Sequence, residues 1–148
     1  MNNGKPQVVI VPCSGIGKAN GSVAREAGYE LCDELRPDTT DLVALSKLVL
    51  GEEQARARVR ACPAITIDGC KLMCAAKLVK LNGGTVAQAV TVLDAFRKHK
   101  NLKPEGIAEL NPAGKELARL MAAEMAEVVD GLGRERDTGE AQKGVSHA

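Results

Sequence analysis

The strongest indication of the fold is the sequence QVVIVP at residues 7–12, and the sequence AITI at residues 64–67 has the same apolar, β-branched composition. Both are short runs rich in β-branched residues, and each leads into a turn that carries a glycine and a cysteine. Such runs are typical of parallel strands that are buried on both faces of a sheet. We therefore predict one parallel strand in each segment and interpret the rest of the chain around them.

Helical segments alternate with the predicted strands. Apolar residues recur at helical spacing, and clusters of glycine, proline and asparagine mark the loops. The remaining predicted elements, in chain order, are a helix from about Val23 to Leu35 with Ser22 as its N-cap, a strand running into a loop within 42–50, a charged helix over 52–61, a helix over 72–81 and a fourth strand around Ala89–Leu93. This alternation predicts a three-layer, Rossmann-like α/β fold with a mainly parallel sheet of three or four strands and a C-terminal helix.

The C-terminal third of the chain has a different pattern. We predict an α/β domain over residues 1–100, a helical extension over 101–133 and a disordered tail over 134–148. The extension contains an amphipathic helix over 112–132. Its apolar stripe consists of Leu117, Leu120, Met121, Met125, Val128, Val129 and Leu132. Such a stripe is typical of a core or of a subunit contact, so a protein partner docking through this helix is one hypothesis.

The composition excludes several classes of function. The 148 residues carry 20 Lys and Arg against 19 Asp and Glu, a formal charge of +1, and their aromatic residues are Tyr29 and Phe96. Such a chain offers neither a general electrostatic footprint for nucleic acid nor a platform for base stacking. Its apolar runs are shorter than a membrane span, and its N-terminus lacks the features of a secretory signal. We expect a cytoplasmic protein with reduced thiols that binds neither nucleic acid nor membrane.

Three of the five cysteines are predicted to meet at one edge of the sheet. Cys13 follows the first strand and Cys70 follows the third. The carboxyl ends of parallel strands share an edge, where open α/β sheets bind their ligands. Cys74 lies four residues after Cys70, in the first turn of the next helix, and can face back over it. Cys62 precedes the third strand and Cys32 lies well into the first helix, so we predict that both are packing residues.

Thiols clustered in this way suit two kinds of chemistry. Thiolate is a preferred ligand of zinc, so Cys13, Cys70 and Cys74 can form a three-ligand zinc site with an open fourth position. Thiolates near helix N-termini are also nucleophiles. Cys13 or Cys70 can therefore serve sulfur transfer or redox chemistry, with Cys74 as the resolving thiol.

A loop that contains glycine forms the predicted wall of this site. It leads into a helix N-terminus and suits a small anion or a thiol-containing ligand. The loop lacks the Ser or Thr of a phosphate-binding P-loop and the third glycine of a dinucleotide-binding loop. On the other side of the site, two residues are expected to support the turn that presents Cys70. The loop residues are Ser14, Gly15, Gly17 and Lys18, and the supporting residues are Asp68 and Gly69.

The two cysteine motifs resemble those of a known family. Pro12-Cys13-Ser14-Gly15 and Ile67-Asp68-Gly69-Cys70, with Cys74-Ala75 after the second, are similar to the motifs of the DGC-domain family of small, poorly characterised prokaryotic proteins. The resemblance spans about residues 7–95 and implies zinc binding by the motif cysteines, here Cys13, Cys70 and Cys74. Family members usually carry a further cysteine where this chain has Val43-Ala44-Leu45. The resemblance therefore implies an open zinc site or a role in thiol chemistry.

Three functional hypotheses follow. The first is a zinc-binding protein that uses the cysteine cluster at the carboxyl edge of the sheet. The second is a sulfur-transfer or thiol-redox protein that uses the same thiols. The third is an interaction module with inert cysteines that docks through the helix over 112–132.

Overall fold

The computed structural model describes residues 6–13, 15 and 17–146, and it describes side chains as far as Gly139. Four strands form one sheet, in which every pair of neighbours is parallel and the order is β2-β1-β3-β4. The strands are β1 (Val8–Pro12), β2 (Thr40–Leu42), β3 (Ala64–Asp68) and β4 (Val86–Thr91). The predicted α/β class with a four-stranded parallel sheet is therefore confirmed.

Helices connect the strands and continue beyond the last one. They are α1 (Ala19–Tyr29), which continues as a π-helical segment over Glu30–Leu35, α2 (Leu45–Val49), α3 (Glu53–Ala61), α4 (Cys74–Leu81), α5 (Val92–Lys98) and α6 (Pro112–Ser146). None of the helices in the described part of the chain is long and apolar enough to cross a membrane.

Alternate residues of the central strands supply two separate cores, one on each face of the sheet. On one face, Val8 and Ile10 pack with α1, α5 and α6. On the other face, Val9 and Val11 pack with α2, α3 and α4. This alternation follows from the pleat, in which successive side chains of a strand point to opposite faces. The sheet is thus the middle layer of three.

Two boundaries in the first half of the chain differ from the sequence prediction. Residues 42–50, predicted as a strand and a loop, contain the end of β2 and then α2. A short apolar run does not distinguish a strand from a buried helix turn, which explains this error. The first helix begins at Ala19, so Ser22 is not its N-cap, and the Ser22 hydroxyl instead donates to the carbonyl oxygen of Ile107 at 2.6 Å.

The fourth strand and the segment after it are also shifted. β4 ends at Thr91, and α5 begins at Val92, where the prediction continued the strand to Leu93. The Thr91 hydroxyl accepts a hydrogen bond from the backbone N–H of Asp94 at 3.1 Å. This contact caps α5. A local capping interaction therefore ends the strand.

The last helix is part of the main core and is longer than predicted. Leu117, Met121, Met125 and Val129 are buried against α1 and the sheet. The helix continues to Ser146, through most of the segment that we predicted as a disordered tail from residue 134. These four residues of the predicted apolar stripe are therefore core residues, and docking of a partner through this helix stays a prediction.

An ion pair also ties α6 to the rest of the protein. The Arg36 guanidinium donates two hydrogen bonds to the carboxylate of Asp130, each 2.8 Å long. This contact lowers the pKa of Asp130 below its usual value, although partial burial of the carboxylate opposes that shift. The Arg136 guanidinium donates to the carbonyl oxygen of Gln7 at 2.9 Å. The helix is therefore held on both the π-helical segment and the start of β1.

Candidate functional site

The order of the strands opens a crevice between β1 and β3. These two strands are neighbours, and α1 leaves β1 on one face of the sheet while α4 leaves β3 on the other. At such a topological switch point the loops after the strands diverge, and ligands bind in the crevice between them. Cys13 follows β1 directly, and Cys70 lies two residues after the end of β3. The fold thus carries both thiols on the two loops that flank the crevice.

Cys13 is held firmly at the end of β1. Its backbone N–H donates to the carbonyl oxygen of Ile67 at 2.8 Å, and its Sγ accepts a hydrogen bond from the N–H of Gly69 at 3.2 Å. The half-buried side chain packs against both cores of the protein. The sulfur of Cys13 therefore lies at the base of the crevice, between the two cores.

Burial raises the pKa of the Cys13 thiol above its ordinary value. Hydrogen bonds from the backbone N–H groups of Gly15 and Gly69 oppose this shift, whereas Asp68 and Cys70 add to it through their negative charge. The thiolate is thus disfavoured by desolvation and favoured by two backbone donors. A cation that replaces the thiol proton would relieve the desolvation of the thiolate.

Asp68 anchors the start of α4. Its buried carboxylate accepts the backbone N–H of Ala75 at 2.8 Å and that of Ala76 at 3.3 Å. Burial raises the pKa of Asp68, and these two hydrogen bonds and the charge of Lys77 oppose that shift. Because the first N–H groups of a helix have no partner within the helix, the carboxylate satisfies two of them. Asp68 therefore positions the segment that carries Cys70 and Cys74.

Cys70 and Cys74 lie at the two ends of an exposed turn. The N–H of Met73 donates to the carbonyl oxygen of Cys70 at 3.4 Å, and Met73 adopts the left-handed backbone conformation with φ of 56°. The helix α4 begins at Cys74 and not at residue 72, so Cys74 lies in its first turn as predicted, and both thiols are exposed. Leu72 is 64% exposed between them. A non-glycine residue in the left-handed region stores strain, which clusters at functional sites.

The start of α1 lies close to two loops, to the loop after β3 at Gly69 and to the loop after β1 at Gly21. A Cβ atom added to Gly69 would lie 3.2 Å from the backbone of Asn20 and of Gly21. A Cβ atom added to Gly21 would overlap the main chain of Gly15. The side-chain amide of Asn20 also donates to the carbonyl oxygen of Gly69 at 3.4 Å. The segments that carry the two motifs are therefore packed backbone against backbone, with glycine at the points of closest approach.

The variant Gly21→Ala tests this contact. We expect it to lower the free energy of unfolding by about 1–3 kcal/mol, because the new methyl group overlaps the backbone of the Cys13 loop. The matched control is Gly131→Ala in α6, where the nearest atom to an added Cβ is 4.0 Å away. Alanine favours a helix by up to about 1 kcal/mol over glycine, so the control should be more stable. Urea unfolding measures both, and stabilisation by Gly21→Ala would contradict the close approach of α1 to the Cys13 loop.

The predicted loop wall is exposed where the structure describes it. Gly15, Gly17 and Lys18 are exposed, and Ser14 lies outside the described residues. Gly17 has φ of 83°, which a glycine adopts without strain. Lys18 occupies the N-cap position of α1 with an extended backbone, and its side chain makes no capping hydrogen bond.

The remaining two cysteines lie away from the crevice. Cys62 precedes β3, and its Sγ donates to the carbonyl oxygen of Pro6 at 3.4 Å, at the opposite edge of the sheet. Cys32 lies in the π-helical segment, where burial raises its pKa to about 11 and a hydrogen bond with Thr40 opposes the shift. Both side chains are half-buried and pack against a core. This placement agrees with the packing role predicted for them.

Comparison with known proteins supports the motif resemblance. The family model of the DGC domain matches residues 9–128, which include Cys13, Cys70, Cys74 and most of the sheet and helices. The chain belongs to the DGC domain family. Searches of curated proteins and of solved structures gave no match.

The crevice of the DGC domain contains thiol sulfurs, which are suitable donor atoms for a soft metal ion. In the described residues these sulfurs do not form a coordination site. The described residues contain no group of three or more His, Cys, Asp or Glu side chains that could hold a metal ion as they stand. All five cysteines, each within the described residues, are free thiols. Thiolates are the donors that zinc and other thiophilic metals prefer. The chemistry of the crevice therefore fits zinc, whereas the positions of its three thiols do not yet form a coordination shell.

Sequence reasoning missed two residues that build the site of this DGC domain. Asn20 and Gly21 join the two loops, yet both lie in the first turn of α1, outside the motifs. The available signal was Gly21 itself, since a glycine inside a helix costs stability and often marks a close approach of backbone. The amide of Asn20 carries no comparable signal, because its partner is a main-chain carbonyl that lies 49 residues away in the sequence.

Proposed function

We propose that this DGC domain binds a thiophilic metal ion, with zinc as the favoured metal, through the thiols of Cys13, Cys70 and Cys74. The observation that carries the proposal is the hydrogen bond from the N–H of Gly69 to the Sγ of Cys13. It holds the thiol at the end of β1 against the residue that precedes Cys70. This contact supports the proposal, because it joins the loop of the first proposed ligand to the loop of the second.

The surroundings of Cys13 support a ligand role. Backbone N–H groups of Gly15 and Gly69 donate to its sulfur, and such donors stabilise the negative charge of a metal-bound thiolate. Its position between the two cores gives the sulfur a fixed place. Cys13 is therefore the anchored ligand of the proposed site.

The other two proposed ligands lie on the turn that leads into α4. Cys70 and Cys74 are both exposed, and Asp68 anchors the helix that begins at Cys74. Since a complete group of ligands is absent from the described residues, metal binding would draw these thiols towards Cys13. The segment Val43-Ala44-Leu45, within which the family resemblance would place a further cysteine, directly follows β2, and Val43 is buried. The proposed site therefore keeps an open coordination position, which is typical of zinc sites that accept a water or a substrate.

Metal content of the purified protein tests the proposal. We expect near-stoichiometric zinc in protein that is purified without oxygen, and loss of most of that zinc in Cys70→Ser, because a three-thiolate site loses one of its ligands. The matched control is Cys62→Ser, which makes the same substitution at the opposite edge of the sheet and should retain the metal. Elemental analysis of each variant, together with circular dichroism to confirm the fold, gives the result.

Two results would contradict zinc binding. One is wild-type protein that stays free of metal after incubation with zinc. The other is equal loss of metal from Cys70→Ser and Cys62→Ser. Free thiols in the crevice also require a reducing compartment, so the proposal agrees with the cytoplasmic location predicted from the sequence.

A second candidate function is sulfur transfer or thiol redox chemistry at the same cysteines. The exposure of Cys70 and Cys74 on one turn, four residues apart, favours it. In sulfur transfer, the thiolate of Cys70 would attack the outer sulfur of a persulfide donor, so that a new S–S bond forms and the donor leaves as a thiol. The same purified protein distinguishes the candidates. Metal-free protein that gains the mass of one sulfur atom on Cys70 after treatment with a persulfide supports this second function.

A further inference from the structure

The strand β4 forms an unprotected edge of the sheet. It is an end strand, and no strand in the described part of the chain pairs with its outer side. Its three central residues, Ala87, Gln88 and Ala89, are all exposed. Successive residues of a strand point to opposite faces. The middle of this strand is therefore uncovered on both faces of the sheet, whereas strands of parallel sheets are normally covered on both. Only Val86 and Val90, towards its two ends, pack against the cores.

The opposite edge of the sheet is protected in two ways that β4 lacks. The strand β2 is three residues long, and it carries Asp41, whose carboxylate lies 3.3 Å from the guanidinium of Arg58. Short strands and charged side chains are the usual means by which proteins prevent edges from pairing. By contrast, β4 is six residues long, with the sequence VAQAVT and no charge or proline. Its register against β3 shifts once, at Ala87, and is continuous from Gln88 to Thr91, so the outer side of these four residues presents a regular row of backbone groups.

We infer that β4 is a dimer interface, at which the strand pairs with β4 of a second copy of this chain. An association of two identical chains around a two-fold axis brings the same strand of each against the other, and that symmetry makes the pair antiparallel. The two four-stranded sheets would then form one continuous sheet of eight strands. The proposal concerns a different edge from the cysteine crevice and does not depend on metal binding.

The chemistry of β4 suits its own copy as the partner. An uncharged strand meets its copy without the repulsion that like charges cause when they lie opposite each other. The side chains of Ala87 and Ala89 are small, so those of the two copies would meet on the faces of the sheet without steric conflict. The interface is also small, because pairing of one short strand buries less than the roughly 1,200 Å² of a standard interface. We therefore expect a reversible dimer whose population depends on protein concentration.

Sedimentation velocity over a range of protein concentrations tests this interface. We expect wild-type protein to shift from monomer to dimer as its concentration rises, and Ala89→Lys to weaken the dimer at least tenfold. Lysine on an edge strand is a common natural block to pairing. The exposed site should tolerate the change in the monomer. The matched control is Ala123→Lys, which adds the same charge at an exposed position of α6 and should leave the dimer unchanged.

Three outcomes would overturn the inference. They are wild-type protein that remains monomeric at all concentrations, a dimer that Ala89→Lys does not weaken, and a dimer that Ala123→Lys weakens equally. If Ala89→Lys fails to fold, hydrogen exchange on the wild-type protein decides the question. In that case the backbone amides of residues 86–91 should exchange several-fold more slowly at high protein concentration, and equal exchange rates would contradict the pairing.

Discussion

Replacement of Leu117 by alanine should lower the free energy of unfolding by about 3 kcal/mol or more. The side chain is 0% exposed and packs in the core between the sheet, α1 and α6. Loss of a buried leucine side chain removes its apolar transfer free energy and leaves a cavity that the surrounding helices only partly fill. Urea unfolding followed by circular dichroism measures the change.

The control for Leu117→Ala is Leu81→Ala, which makes the same substitution in α4, where the side chain is 78% exposed. We expect that variant to differ from wild type by less than about 0.5 kcal/mol, as exposed substitutions usually do. A similar small effect in Leu117→Ala would mean that α6 is a separable extension rather than part of the core. The test therefore shows whether the stability of the α/β fold depends on the packing of α6.

Replacement of Asp68 by alanine should be the second large effect, with a loss of about 3 kcal/mol in the free energy of unfolding. The variant leaves the buried backbone N–H groups of Ala75 and Ala76 without the acceptor that they share. Such groups carry the full cost of lost hydration, about 1–3 kcal/mol for each. The same change releases the start of α4, so Cys74 loses its fixed position.

Two control variants show whether the effect of Asp68→Ala comes from the loss of its buried carboxylate. Asp94→Ala removes an exposed carboxylate that pairs with Arg97 on the surface, and it should cost less than about 1 kcal/mol. Asp68→Asn keeps one oxygen acceptor and should be less destabilised than Asp68→Ala. If Asp68→Ala unfolds at the same urea concentration as wild type, the carboxylate does not hold the helix. Thermal unfolding in the presence and absence of added zinc also shows whether the anchor matters to the proposed metal site.

The edge of the sheet at which Cys13 and Cys70 lie could be predicted from the sequence, because the signals for it lie within short segments of the chain. Residues 7–12 and 64–67 have the β-branched character of buried parallel strands, and they occupy β1 and β3 almost residue for residue. Two parallel strands end at the same edge, so the placement of Cys13 and Cys70 follows from their positions in the sequence. The paired motifs led to the correct family for the same reason, since they lie at those strand ends.

Segments with weaker local signals were predicted less well. Residues 42–50 are apolar throughout, and only packing shows that Leu48 faces a core while Val49 and Leu50 are exposed on α2. The tail after residue 134 has the composition of disordered chain, yet α6 continues through it to Ser146. The contact of Arg136 with Gln7 joins residues 129 positions apart and leaves no local signal in the sequence.

Strand character, helix periodicity and short motifs are properties of neighbouring residues. The parallel α/β class, the edge at which Cys13 and Cys70 lie and the family of the chain could therefore be predicted without coordinates. The tertiary structure was needed to show that α6 completes one of the two cores and that Asn20 and Gly21 contact the loop after β3. It also decided that Asp68 serves the main chain of α4. Each of these features is a contact between segments far apart in the sequence, and such contacts depend on how closely the folded backbones approach.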